Sequence, residues 1–228
     1  MSKNMAQNSL EMTADTHPEY FIKLLDAEIE YRSELRKERN IKNAGFYSMK
    51  SFPSFRSDDV VLPAETDSEY LRQCRFIDNS MNLVFYGNIG AGKTHLATAI
   101  GIEACNQGKT AKFYRTAGLV NSLAEAKKNS RLTAFLKSIQ KCDLLILDEW
   151  GYVPFDRDGA RLLFDIISEC YEKKSVIITT NIEFSRWSHV LFDEQLTAAL
   201  LDRLLHHCHL LIFNGDSERL KTSNLKHS

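Results

Sequence analysis

Gly87-Asn88-Ile89-Gly90-Ala91-Gly92-Lys93-Thr94 is a complete G-x-x-x-x-G-K-[ST] loop, the spacing that grips a nucleotide's phosphates. Glycines let the backbone turn at positive φ and approach phosphate oxygens with no Cβ in the way. The loop amides form an anion nest, and the helix that follows adds its positive N-terminal end. Lys93 brings a mobile charge to the β/γ-phosphates, and the Thr94 hydroxyl can complete a Mg²⁺ shell. A second constellation is Cys142-Asp143-Leu144-Leu145-Ile146-Leu147-Asp148-Glu149, an apolar run that ends in two acids. Asp148 at the tip of a buried strand would face the phosphate loop and hold Mg²⁺ through water. Glu149, one residue further on, points elsewhere and can polarise an attacking water.

Other residues carry weaker signals. Val176–Ile178 ends in Thr179-Thr180-Asn181, where a neutral amide can hydrogen-bond both a γ-phosphate and a water, or simply make an Asn turn. Arg203, in Asp202-Arg203-Leu204-Leu205, can reach a neighbour's γ-phosphate or complement a helix dipole. Arg219 is only suggestive. His206-His207-Cys208-His209 has the composition of a metal cluster, but adjacent ligands do not easily converge on one ion and no partner pair stands at ligand spacing. These four residues are expected to lead into the last strand.

The elements that must position these residues follow from the hydrophobic pattern. Short apolar runs occur at Leu83–Tyr86, Ala111–Tyr114, Leu144–Leu147, Val176–Ile178 and His209–Phe213. Helical patterns lie between them, at Lys93–Asn106, Ala117–Gln140, Gly159–Glu172 and Asp193–Leu205. Short apolar strands alternating with helices predict a parallel sheet covered on both faces, with chemistry at the strands' C-terminal ends. Ahead of this core, Pro18 can open a helix whose apolar residues Tyr20, Phe21, Leu24, Leu25 and Ile29 keep helical spacing to about Arg39. Residues 1–16 are polar and expected to be mobile. Pro53, Pro63 and several acids mark a looser stretch, which divides an N-terminal helical region (1–50) from the main domain (51–228).

Composition bounds the function. The chain has 228 residues and a formal net charge of -1, so nucleic-acid contact must come from local patches. Lys127, Lys128, Arg131, Lys137 and Lys141 form one such patch, and Arg32, Arg36, Lys37, Arg39 and Lys42 another, although Glu30, Glu34 and Glu38 interleave with the second. Both sets read equally well as solvated helix faces. Five cysteines are scattered and odd in number; Cys105 and Cys170 fall inside helical patterns and read as small buried hydrophobes. No run approaches the length of a membrane helix and the N-terminus has no apolar leader, which points to the cytoplasm and away from a membrane partner.

These pieces together resemble the IstB-like ATPases, transposition helpers close to the DnaC helicase loaders within the AAA+ class. The resemblance rests on LLDAEIEYR, on the loop with Lys93-Thr94-His95-Leu96-Ala97, on LLILDEWGYVPFDRDGARLLFDIIS, on IITTNIEFSRW, and on ALLDRLLHHCHLL followed by GDSERLK. It implies a five-stranded AAA+ sheet with no C-terminal helical lid domain, ATP and Mg²⁺ as ligands, and nucleotide contacts from Gly87 through His95. It further implies Asn181 as the γ-phosphate sensor, Arg203 as an arginine finger across a subunit interface, and Arg219 as a second sensor. DNA contacts would fall at Lys127, Lys128 and Arg131. The function implied is an ATP-dependent homo-oligomer on duplex DNA that recruits or stimulates a transposase of the IstA kind. A DnaC-like helicase loader and an ATP-holding DNA scaffold with little turnover are the alternatives. Trp150 stands where the family often has an aliphatic residue and reads as packing beside the acids.

Overall fold

The computed structural model describes residues 2–55, 59–152 and 155–215. Two helices lead, α1 (Lys3–Glu11) and α2 (His17–Ala44), followed by a short 3₁₀ turn at Phe52–Ser54 and the two-residue strand β1 (Val60–Val61). Two short helices, α3 (Ser68–Arg72) and α4 (Arg75–Asp78), precede β2 (Asn82–Gly87) and α5 (Lys93–Asn106). Then come β3 (Ala111–Arg115), α6 (Thr116–Lys128), α7 (Leu132–Gln140) and β4 (Leu144–Trp150). The chain continues through α8 (Arg157–Cys170), β5 (Ser175–Thr180), α9 (Trp187–Leu191), α10 (Glu194–His206) and β6 (Cys208–Phe213).

The strands lie in the order β1-β6-β2-β5-β4-β3. β6, β2, β5, β4 and β3 are mutually parallel, whereas β1 runs antiparallel to β6, pairing Val60 with Phe213 and Val61 with Ile212. The sheet therefore has six strands rather than the five expected. Two residues are too short to show a period-2 pattern, so β1 leaves no trace in the hydrophobicity of the Pro-containing stretch around it. All five predicted strands are present.

Alternation within each strand builds two cores. Leu144 and Ile146 of β4, with Leu83 and Phe85 of β2, face α5 and the short helices α3 and α4. Leu145 and Leu147, with Val84, Val176 and Ile178, face the layer that includes α6, α8, α9 and α10. Four consecutive apolar residues in β4 are thus divided two to each face, as a central strand covered on both sides requires.

Three expectations are corrected here. The pattern Ala117–Gln140 is not one helix: α6 stops at Lys128, Ser130 takes φ 55, and α7 starts anew at Leu132. The interruption falls at Asn129-Ser130, residue types that compete for backbone hydrogen bonds. Residues 3–11 are helical, capped by Ser2, whose hydroxyl accepts from the Met5 amide and donates to Glu28 Oε2 at 2.6 Å. Tyr20 Oη also donates to Ser9 O at 2.7 Å. α2 runs five residues beyond Arg39, to a left-handed Gly45. Its last turns seat on the sheet domain, where Asn40 Nδ2 donates to Lys109 O at 2.9 Å and Lys112 Nζ to Asn43 O at 2.7 Å.

Candidate functional site

β2 delivers the phosphate loop from the middle of the sheet, between β5 and β6. Gly87 has φ +149, and a Cβ built there would stand 2.1 Å from Phe213 O of β6, so the strand can turn at this point only without a side chain. Gly92 has φ +93 and is the N-cap of α5 with no side-chain cap. The first amides of α5 consequently have no intrahelical acceptor, the arrangement that receives phosphate oxygens. Lys93 is buried, and its Nζ donates to Gly87 O at 2.7 Å and Asn88 O at 2.6 Å, which places the ammonium against its own loop. Ile89 at the loop's crest is exposed.

The two acids separate. Asp148 is 2% exposed; Thr94 Oγ1 donates to its Oδ1 at 2.8 Å and Thr179 Oγ1 to the same oxygen at 2.5 Å. Thr116 Oγ1 donates to the Asp148 carbonyl at 2.8 Å. The phosphate-loop helix, the acid strand and the neighbouring strand β5 thus meet at one carboxylate. Glu149 points outward. It takes φ 59, uncommon for a non-glycine residue, at a register shift in the β4–β5 pairing between Leu147 and Trp150. Its amide is satisfied by Thr179 Oγ1 at 3.0 Å, and its Oε2 lies 3.5 Å from Arg115 Nε. Arg115 in turn sits over the Tyr47 ring, 4.8 Å from its centroid. Trp150 is fully buried against Trp187, ring centroids 4.8 Å apart, and anchors the strand just past the acids.

The remaining candidates fall in different places. Asn181 is exposed, one residue beyond the level at which Thr180 pairs with both Tyr86 and Trp150, so it stands across from the start of the phosphate loop. The His95 side chain turns to the 3₁₀ turn, with Nε2 3.0 Å from Ser54 Oγ and 3.2 Å from Ser51 O. Arg203 is in the last turn of α10; it donates to Ala199 O at 2.8 Å and lies over the Phe164 ring, 5.2 Å from its centroid. Lys127 and Lys128 close α6, and Arg131 precedes α7. Lys127 Nζ meets Asp158 Oδ2 at 2.8 Å, both side chains exposed. Arg219 lies outside the described residues.

Sequence reasoning missed Thr179, Thr116 and Arg115. The register explains why. Leu147 pairs with Ile178 and Asp148 with Arg115, which brings Thr179 and Arg115 beside the acids, but this follows from strand order rather than from any local pattern. The polar end Thr179-Thr180-Asn181 was visible; which of its three residues reaches the aspartate was not.

A G-x-x-x-x-G-K-T loop at the carboxyl end of a central parallel strand, facing a buried aspartate on a strand two positions away, defines a P-loop nucleotide-binding protein. Among such proteins, the chain belongs to the family described as IstB-like ATP binding protein, whose match spans residues 3–226. The match reaches back well before the LLDAEIEYR segment and so includes α1. An ATP-binding protein of insertion sequence IS232 from Bacillus thuringiensis subsp. berliner is 38% identical over 205 residues, covering 89% of this chain and 81% of the relative. The corresponding protein of insertion sequence IS21 from Pseudomonas aeruginosa is 35% identical over 206 residues, covering 89% and 77%. Among solved structures, the DnaC helicase loader superposes with a TM-score of 0.54 at 24% identity, covering 75% of this chain and 96% of that one. The replication initiator DnaA bound to AMPPCP and single-stranded DNA gives 0.55 at 22% identity, covering 69% of this chain and 50% of that one, so the present chain spans about half of DnaA's length. These two likenesses concern the fold. Among the described residues, no helix is long and apolar enough to cross a membrane.

Proposed function

We propose that this insertion-sequence ATP-binding protein hydrolyses ATP, assembles on duplex DNA in its ATP state, and acts as the regulatory partner of a transposase. The observation that carries the hydrolytic reading is the 2.8 Å bond from Thr94 to Asp148, which joins the phosphate loop to the acid strand. The donor set is a threonine hydroxyl and a buried carboxylate, hard oxygen ligands suited to Mg²⁺. An Mg²⁺ held by these two side chains would offset charge on the phosphate oxygens.

The chain's own residues divide the work. The loop amides from Gly87 to Thr94 and the Lys93 ammonium hold the phosphates. Thr179 and Thr94 aim the Asp148 oxygen they share. Glu149 projects from the strained turn after Asp148 and takes the proton of the attacking water. Asn181, whose side chain has no hydrogen-bond partner among the described residues, orients that water and reads the γ-phosphate. Arg203 stabilises developing charge across a subunit interface, exchanging its bond to the Ala199 carbonyl for a neighbour's phosphate. Hydrolysis removes the bridging γ-phosphate, so the interface weakens and the assembly resets.

DNA is held by Lys127, Lys128 and Arg131 at the corner between α6 and α7. The Lys127–Asp158 pair is exposed and screened by solvent, so a DNA phosphate can replace it. Residues 1–50 act as a helical region ahead of the ATPase domain (51–228), seated on it through Asn40.

The test is a Glu149→Gln variant measured for phosphate release and for assembly on duplex DNA. Release is expected to fall by roughly 10²–10⁴-fold while ATP-dependent assembly persists. Equal release by the two proteins would overturn the hydrolytic role, and persistent monomers with ATP and DNA would overturn the assembly.

A further inference from the structure

At the opposite end of the sheet from the phosphate loop, two turns bring metal-ligating side chains together. One is the turn between α8 and β5, carrying Tyr171 and Glu172; the other joins α10 to β6 and carries His206 and His207. One ligating atom each from Glu172, His206 and His207 lies within 4.8 Å of the other two. We propose that these three residues bind a single transition-metal divalent cation, of the Zn²⁺, Ni²⁺ or Co²⁺ kind.

Read from sequence alone, adjacent histidines do not easily converge on one ion and no partner pair stands at ligand spacing; here the fold brings the two imidazoles and a carboxylate within reach of one another. It also breaks up the four-residue run. Cys208 turns into the core, and His209 turns to Tyr70, with ring centroids 5.6 Å apart. His206 and His207 are left with Glu172.

Three features prepare the site. First, the spacing is close to that of a loaded centre: ligands about 2.0–2.1 Å from a tetrahedral ion stand ~3.3 Å apart. His207 Nε2 and Glu172 Oε1 are already 3.7 Å apart, and both side chains are about half exposed, free to close the remainder. Second, His206 has an outer partner: its Nδ1 is 2.9 Å from Tyr171 Oη. In the tautomer whose Nδ1–H donates to the phenol oxygen, Nε2 keeps its lone pair for a metal. Third, the two turns are tied from beneath. Buried Asn82, at the start of β2, donates from Nδ2 to Leu204 O at 3.0 Å and accepts from Val176 N at Oδ1 at 3.0 Å. Its own amide donates to His207 O at 2.7 Å. One residue therefore ties the end of α10 and the turn after it to the start of β5, just past the Glu172 turn, before any ion arrives.

Two imidazoles and one carboxylate favour a borderline ion over Mg²⁺ or Ca²⁺, which want oxygen. The open fourth position faces solvent and takes water. Because His206 is the last residue of α10, three after Arg203, an ion here clamps the end of the helix that carries that arginine to the turn after α8. The site stands on its own residues and does not depend on the hydrolytic reading.

The experiment uses the full chain, freed of metal by chelator and then dialysed, titrated with Co²⁺ and Zn²⁺. Uptake of one ion per chain is expected, with a visible Co²⁺ spectrum lacking the thiolate charge-transfer band that a cysteine ligand would produce. His206→Ala and Glu172→Gln are each expected to weaken binding tenfold or more, and His17→Ala to leave it unchanged. Matching melting temperatures of all variants in chelator show that their folds are intact. A thiolate band, equal affinity in His206→Ala, or no uptake by the parent chain would each overturn the assignment. The thiolate band is read on the unmutated protein and so decides even if a variant fails to fold.

Discussion

Thr179 Oγ1 donates to Asp148 Oδ1 at 2.5 Å, inside the core between two neighbouring strands. The same hydroxyl accepts from the Glu149 amide at 3.0 Å. One threonine thus aims the aspartate and holds the turn that carries the glutamate. Partners of this outer kind typically cost 10–100-fold in metal affinity or activity when lost. Thr179→Val, which keeps the volume and removes the hydroxyl, is expected to lower ATP turnover by about that factor, and Thr179→Ser to restore most of it. Side-by-side phosphate-release assays decide this, and a fully active valine variant would count against the relay.

Gly87 presents a different constraint. A methyl group there would meet Phe213 O at 2.1 Å and Phe213 Cβ at 2.8 Å. Backbone of a paired strand cannot step aside cheaply, so β2 and β6 must separate to admit it. Gly87→Ala is expected to destabilise the whole domain by several kcal/mol, the clash outweighing the roughly 0.5–1 kcal/mol by which the loss of glycine's unfolded-state freedom alone would stabilise it. Urea unfolding with an unchanged m-value would report the shift as stability rather than as a change in the denatured state.

Arg115 and Glu149 form a looser relationship. Their 3.5 Å contact joins side chains 54% and 42% exposed, and pairs of that kind contribute about 0–1 kcal/mol. Arg115→Gln is therefore expected to leave the melting temperature nearly unchanged. Its effect should appear in turnover, because the guanidinium, steadied by the Tyr47 ring, sets where the Glu149 carboxylate points. Unchanged turnover with unchanged stability would leave Arg115 a plain surface residue.

Much of this was legible because each feature is local. The phosphate loop is a contiguous run, and its glycines state their own geometry. Leu144–Leu147 announces a strand buried on both faces, and its last two acids can only stand at the tip. The unread parts depend on what lies beside what. Thr179 matters through its neighbour strand, β1 exists only as a partner for β6, and the break at Ser130 is a single left-handed residue within an otherwise helical run. Glu172 is separated from His206 by the whole of β5, α9 and α10, so no spacing rule joins them.

The cysteines give a prediction about reactivity. Burial pushes the thiols of Cys74, Cys170 and Cys208 up to about 12, and those of Cys105 and Cys142 up to about 11. The nucleophile is the thiolate, so at pH 8 almost none is present on the folded chain. Iodoacetamide is expected to modify no cysteine of the native protein over minutes and all five after unfolding in urea. Mass spectrometry of the two samples checks it, and rapid native labelling at any one position would mark that thiol as accessible after all.

His209 sets a direction for stability against pH. It packs edge-on to Tyr70, and desolvation lowers its pKa below the ordinary 6.5, with only the charge of Glu65 opposing. The folded chain then binds this proton less readily than the unfolded chain does. Its contribution is fully present above the unfolded value near 6.5 and is lost as pH falls through the lowered value of the folded state. Stability is accordingly expected to decline on going from neutral to mildly acidic pH, and His209→Gln, which cannot titrate, to flatten that decline while lowering stability somewhat at all pH values through lost packing. Melting temperatures of the two proteins across the mildly acidic range separate the cases. Parallel curves would assign the acid sensitivity to other groups.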